Sequence, residues 1–127
     1  MRYLLDTHVI LWALDNDKRL SETMVRILQD SVIEKYVSIA SAWEVAIKVN
    51  SGKLRLDGGV SEFFETVHQN QVELLPITAR HLEIVEILPL IHRDPFDRLL
   101  IAATKAEGMT ILTADENIHQ YEVPSVW

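Results

Sequence analysis

The chain has 127 residues, no cysteine and a formal net charge of −7, and 48% of its residues are hydrophobic. This length fits one domain spanning residues 1–127, and the lack of cysteine excludes disulfides and thiolate metal sites. No apolar run approaches the roughly 18 residues of a membrane span. The opening MRYLLDTH is too short and too charged for a secretory signal. We therefore expect a cytoplasmic protein that is not attached to a membrane. The acidic balance counts against tight phosphate-driven binding to nucleic acid but does not exclude a nuclease.

Strand-like segments alternate with segments of helical periodicity, which is typical of parallel βαβ units. The predicted strands are Arg2–Leu5, Tyr36–Ile39, Val72–Leu75 and Thr110–Thr113, with a fifth expected around Tyr121–Pro124. The predicted helices are about Thr7–Leu14, one that begins near Ser21, Ser41–Asn50, Val60–Gln69, one capped by Thr78 that ends at Pro89, and one from Asp94 to about Ala106. We therefore expect an α/β fold around a mainly parallel sheet of four to five strands.

Four carboxylates fall at one edge of this predicted sheet. Asp6 immediately follows the first strand, and Asp115 lies two residues past the fourth. Glu44 and Asp97 lie in early turns of the helices that follow strand two and precede strand four. Ligands of open α/β sheets bind at the carboxyl ends of the strands, best where the strand order reverses. If strands one and four are neighbours at that point, Asp6 and Asp115 face each other.

A group of acids at one place is stabilised when a cation is bound among them. Carboxylates in one pocket raise one another's pKa and oppose folding unless a positive charge relieves them. Oxygen ligands suit Mg²⁺ or Mn²⁺, whereas zinc prefers histidine or cysteine ligands, and no close histidine pair occurs here. A carboxylate-bound divalent cation is suited to phosphodiester hydrolysis. The pattern therefore favours a metal-dependent nuclease.

Each acid also has a structural interpretation. Asp6 is a suitable N-cap for the next helix, and Asp94 followed by proline is typical of an N-cap before the first helical residue. Asp97 then falls where an acid favours the helix dipole, and Asp115 can close a short turn. Glu44 is hardest to explain structurally because its neighbours are apolar. It is the coincidence of the acids at one edge that points to a function.

Other residues carry weaker signals. His8 is a candidate base, although packing or hydrogen bonding is the more frequent role of one such histidine. The helical segment 9–14, which contains Trp12, is apolar on every face, which fits either burial in the core or an interface with a protomer or partner. Lys48 and Arg98 flank the predicted site and are candidates for phosphate contacts, against the alternative of solvated surface charge.

Three segments carry a resemblance to a known family. Taken in order, LLDTHVILWAL, SAWEVAIK and HRDPFDRLLIAATKAEGMTILTAD resemble the PIN-domain family, and within it the VapC-type toxins of bacterial toxin–antitoxin pairs. The similarity covers nearly the whole chain, and its most specific part is DPFDRLLIA followed by ILTAD.

The resemblance implies one PIN-like nuclease domain with a three-layer α/β/α fold and a central parallel sheet. It implies an endoribonuclease that depends on Mg²⁺ or Mn²⁺ and leaves a 5′-phosphate and a 3′-hydroxyl. It also implies a homodimer held silent by a cognate antitoxin, which often places a basic side chain near the acidic pocket. The positions that match the family's acids and supporting hydroxyls are Asp6, Glu44, Asp97 and Asp115, with Thr7 and Thr113.

Two other functions remain open on the sequence. A receiver domain of similar size also gathers acids and an ion at strand ends. It requires an acid pair after strand one and a phospho-accepting aspartate after strand three, where this chain has Asp6 alone and Leu75-Pro76. A non-catalytic module could use the acidic pocket only to bind a basic partner.

Overall fold

The computed structural model describes residues 1–127. Its strands are β1 (Arg2–Leu5), β2 (Glu34–Ser38), β3 (Glu73–Leu75), β4 (Thr110–Leu112) and β5 (Ser125–Val126). Its helices are α1 (Thr7–Asp15), α2 (Glu22–Gln29), α3 (Ile39–Asn50), α4 (Gly59–Gln69), α5 (Ala79–Ile87), α6 (Pro95–Glu107) and α7 (Glu116–His119).

The five strands form one sheet in the order β3-β2-β1-β4-β5, and every neighbouring pair runs parallel. The predicted parallel sheet is therefore confirmed. The chain order reverses between β1 and β4, which places the topological switch point between these two strands. The order also differs from the 2-1-3-4-5 arrangement of receiver-type folds, so the receiver alternative is wrong on topology.

The last strand lies later in the chain than the sequence predicted. It is Ser125–Val126, whereas the pattern favoured Tyr121–Pro124. Tyr121 instead buries its ring in the core cluster that also contains α6 residues. Pairing begins only at Pro124, whose carbonyl accepts a hydrogen bond from the Ile111 N–H. Burial of the tyrosine ring thus outweighs local strand propensity.

Helices cover both faces of the sheet. Leu4 and Leu5 belong to different core clusters, because successive side chains of a strand point to opposite faces. The Leu5 cluster joins the sheet to α1, α2, α3 and α4, and the Leu4 cluster joins it to α5, α6 and α7. The three-layer α/β/α arrangement is therefore confirmed. None of the helices combines the length and the apolar character that crossing a membrane requires.

Local signals set the ends of several helices as expected. The side chains of Ser21 and Thr78 cap α2 and α5, and Gly108 ends α6 in the left-handed conformation that glycine adopts most easily. The α1 helix is less buried than its apolar sequence suggested, since only Val9 and Ile10 among residues 9–14 are fully buried.

Candidate metal centre

The four predicted acids lie at the carboxyl edge of the sheet. β1 and β4 are neighbours, so Asp6 and Asp115 follow adjacent strands at the switch point. Asp97 is the third residue of α6. Glu44 lies in the second turn of α3, slightly later than expected, because that helix begins already at Ile39. Topology thus brings residues from four distant segments to one place.

Asp6 is fixed by a hydroxyl rather than by helix capping. It occupies the N-cap position of α1, but its side chain makes no capping hydrogen bond. Thr113 Oγ1 instead donates to Asp6 Oδ2 at 2.7 Å and accepts from the Asp115 N–H at 3.0 Å. Asp6 is only 4% exposed, and burial is the main reason that its pKa is raised. One threonine therefore joins the two strand-end acids.

Glu44 is held by a second threonine. Thr7 Oγ1 donates to Glu44 Oε1 at 2.9 Å and also lies 2.8 Å from Ser41 Oγ. Lys48 Nζ lies 2.8 Å from the other carboxylate oxygen, and this pairing raises the pKa of the lysine. The Glu44 carboxylate is almost completely buried. It thus lies in a place that water barely reaches, beside one cation.

Asp97 shows how closely the acids approach one another. Its pKa is raised to about 8, first by burial and then by the charges of Asp6, Asp94, Glu44 and Asp115. Asp94 itself caps α6, since its Oδ1 accepts hydrogen bonds from the Phe96 and Asp97 N–H groups. The structural interpretation of Asp94 is therefore confirmed. The site holds more negative charge than its own residues can neutralise.

The sequence analysis did not assign His92 to this site, yet its ring lies between two of the acids. His92 Nε2 lies 2.9 Å from Asp97 Oδ2 and 3.4 Å from Asp115 Oδ2. The ligand atoms of these three residues all lie within 4.8 Å of one another. The Asp94 N–H donates to His92 Nδ1, so Nε2 is the nitrogen that donates to the carboxylates. Its place in HRDPFD, just before the α6 cap, was the only available signal.

The predicted phosphate contact of Arg98 does not fit its position. Its guanidinium is buried and donates to the carbonyls of Val85, Leu88, Pro89 and His92. These carbonyls belong to the end of α5 and to the loop before α6, and those of Val85 and Pro89 also accept from the Leu88 N–H and the Tyr121 hydroxyl. Arg98 therefore closes a helix end, and both terminal nitrogens of its guanidinium are engaged there rather than presented to RNA. Lys48 is partly exposed beside Glu44, so its predicted phosphate contact stays a prediction.

The donor set fits a divalent cation. Carboxylate oxygens are hard ligands of the kind that Mg²⁺ and Mn²⁺ prefer. Asp97 and Asp115 present partly exposed oxygens, while Asp6 and Glu44 lie deeper and are oriented by hydroxyl donors, as ligating carboxylates usually are. A bound cation would also remove the charge conflict that raises the pKa of Asp97.

Comparisons with known proteins agree with this geometry. The profile of the PIN domain matches residues 3–124. No curated protein matches the sequence. Three solved structures share the fold at low identity. The first is VapBC2 from Rickettsia felis, bound to a DNA fragment from the promoter of the VapBC2 pair. Its TM-score is 0.75 at 14% identity, and the match covers 99% of this chain and 98% of that chain.

The second is DNA-bound VapBC from Salmonella typhimurium, with a TM-score of 0.69 and 12% identity over 99% of this chain and 97% of that chain. The third is FitAcB from Neisseria gonorrhoeae, with a TM-score of 0.63 and 19% identity over 98% of this chain and 96% of that chain. At such identities the three structures establish the fold alone. Because the PIN profile spans nearly the whole sequence, the chain belongs to the PIN domain family.

Proposed function

We propose that this chain is a single-domain, Mg²⁺- or Mn²⁺-dependent endoribonuclease of the cytoplasm and the toxin of a toxin–antitoxin pair. The observation that carries the proposal is the convergence of four acids at the switch point, where burial and then the charges of the other acids raise the pKa of Asp97 to about 8. Such a concentration of charge opposes folding, and a purely structural site would gain nothing from it. Membership of the PIN domain family, a family of nucleases, supports the same conclusion.

Asp97, Asp115 and Asp6 would hold the metal, directly or through water. When bound, a divalent cation supplies Lewis-acid stabilisation of the phosphoryl oxygens and makes water more acidic. Thr113 keeps the Asp6 carboxylate aimed into the site. Glu44, buried and held by Thr7, either completes the ligand set or accepts a hydrogen bond from the attacking water and orients it in line with the phosphorus.

The test is RNA cleavage by purified protein with Mg²⁺ or Mn²⁺. Asp6→Asn and Asp97→Asn should each lose nearly all activity, while Asp57→Asn, which removes an exposed loop carboxylate, should keep it. Sequencing of the cleaved ends should find a 5′-phosphate and a 3′-hydroxyl. Full activity in both site variants would refute the assignment. Tight binding of a basic partner without any cleavage would favour a binding-only module.

The acidic net charge of the chain is unfavourable for RNA binding, and a basic antitoxin partner would account for it. The net charge of −7 and the acidic site suit a partner that brings a basic side chain to the carboxylates. The VapBC and FitAB structures of similar fold are complexes bound to DNA, which supports a partner protein for this chain as well. The informative observation is whether a neighbouring reading frame encodes a small DNA-binding protein that co-purifies with this chain and inhibits it.

A homodimer would cover the exposed apolar side chains of α3 and α5. Ile39, Trp43 and Ile47 recur every four residues and form one stripe on α3, and they are 37%, 61% and 42% exposed. Leu82 and Ile87 on α5 are exposed as well. Light scattering after gel filtration should give twice the mass of one chain, and Trp43→Glu should shift the protein toward monomer.

A further inference from the structure

A small cleft adjoins the metal centre on the α1 side and has no role in the proposed chemistry. Its volume is about 250 Å³. Two site acids form part of its wall, so a group inside it lies directly beside the metal. The lining residues are Asp6, His8, Trp12, Arg19, Ala114 and Asp115.

The other walls of this cleft are flat and held in place. Trp12 is half-buried, and its ring meets the edge of Trp127 at a centroid distance of 5.5 Å. The His8 ring lies 5.7 Å from Trp12. The Arg19 guanidinium lies 4.8 Å from the centre of the Trp12 ring, and two hydrogen bonds to the Asp17 carboxylate fix its orientation. Three planar groups that contact one another therefore line one side of the cleft.

The charges of the cleft favour a base over a phosphate. The single guanidinium is already paired with Asp17, and the carboxylates of Asp6 and Asp115 would repel an anion. Planar π faces and guanidinium groups are, in contrast, the surfaces on which proteins stack unpaired bases of single-stranded RNA. Sites for drug-sized ligands span about 300–1,000 Å³, so this smaller cleft suits one base.

We propose that this cleft is a nucleobase subsite, in which the base next to the phosphodiester being cut packs against the side formed by His8, Trp12 and Arg19. The proposal rests on the proposed ribonuclease function. It adds a position for the base beside the cut, in the cleft on the α1 side of the acids. Stacking would place the adjacent phosphate over Asp6 and Asp115, so the subsite would set the position of cleavage.

Indole N–H signals in a ¹H–¹⁵N correlation spectrum provide the direct test, because the chain has three tryptophans. In Ca²⁺, which should support binding without cleavage, 5′-mononucleotides should move the Trp12 signal in a saturable way. Ribose 5-phosphate has the same sugar and phosphate but no base, and it should leave that signal in place. Trp43 on α3 meets Phe96 of α6 edge to face, outside the cleft, and serves as the internal control.

Two matched pairs of variants test the walls. Trp12→Phe keeps an aromatic face and Trp12→Leu removes it, so only the leucine variant should weaken binding of a short single-stranded RNA. Stacking on one base accounts for roughly a tenfold change in affinity or more. Arg19→Gln should also weaken binding, whereas Arg26→Gln, an exposed change on α2, should not. Arg19 is itself mostly exposed, so this pair leaves the fold intact.

The outcomes separate this subsite from the proposed function. RNA cleavage by the wild-type chain together with equal effects of mononucleotides and ribose 5-phosphate on Trp12 would overturn the subsite and leave the nuclease standing. Base-dependent shifts of Trp12 without cleavage of any RNA would support the subsite and overturn the nuclease. Equal RNA affinity of the Trp12→Leu and Trp12→Phe variants would also overturn the subsite.

Discussion

The substitution Asp97→Asn should stabilise the metal-free protein even though we expect it to abolish the proposed activity. The folded-state pKa of Asp97 is about 8, against an ordinary value of 3.8. Between these two pH values the native state binds more protons than the unfolded chain, so stability falls as pH rises. The cost is absent below about pH 4 and complete above about pH 8. Asparagine has nearly the same shape and carries no charge at either end of this range.

The magnitude follows from the same pKa. One pH unit corresponds to about 1.4 kcal/mol, so ionising Asp97 costs at most about 6 kcal/mol. The contact with His92 and local rearrangement reduce this cost, and the lost acid in the first turn of α6 opposes the gain by up to about 1 kcal/mol. We therefore expect a net gain of about 2–3 kcal/mol at pH 8.

Urea unfolding in EDTA measures this difference, with Asp57→Asn as the control for removing an exposed carboxylate. At pH 8 the Asp97→Asn variant should unfold at higher urea than wild type, and the two curves should merge near pH 4. Saturating Mn²⁺ should reverse the order, because a ligand that binds only the native state adds stability to the wild type. A variant that is equal to or weaker than wild type at pH 8 in EDTA would refute the electrostatic reasoning.

Three further predictions concern supporting residues. Thr113→Val keeps the shape of the side chain but loses the hydroxyl that holds the Asp6 carboxylate. Calorimetry should find the affinity for Mn²⁺ lowered about 10- to 100-fold. Thr104→Val removes a hydroxyl that bonds only within α6, so it should leave that affinity unchanged. Arg98→Met removes a donor from four carbonyls, of which those of Leu88 and His92 lose their only protein partner, and it should lower the free energy of unfolding by about 3 kcal/mol. The exposed change Arg80→Met should cost less than about 0.5 kcal/mol. Lys48→Met should reduce the slope of log affinity for RNA against log salt by about 1 if the lysine contacts a phosphate; an unchanged slope would remove that role.

The sequence by itself determined most of the elements and the four acids that lie at one edge of the sheet. Helix periodicity, caps such as Asp94 and the glycine after α6 are local signals, because the atoms that interact lie within a few residues of one another. The alternation of strands and helices was enough to predict a parallel sheet. Since the carboxyl ends of parallel strands share one edge, the positions of Asp6 and Asp115 predicted their approach on the condition that the first and fourth strands are neighbours.

Only the tertiary structure decided what each side chain touches. Arg98 and His92 lie six residues apart near the start of α6. Arg98 donates to backbone carbonyls, whereas His92 bridges two site acids. Their roles depend on partners from α5, α7 and the loops between them, and on which groups are removed from water. Tyr121 displaced the expected last strand for the same reason. Hydrogen bonding and desolvation among segments distant in sequence are properties of the folded arrangement, and no local pattern encodes them.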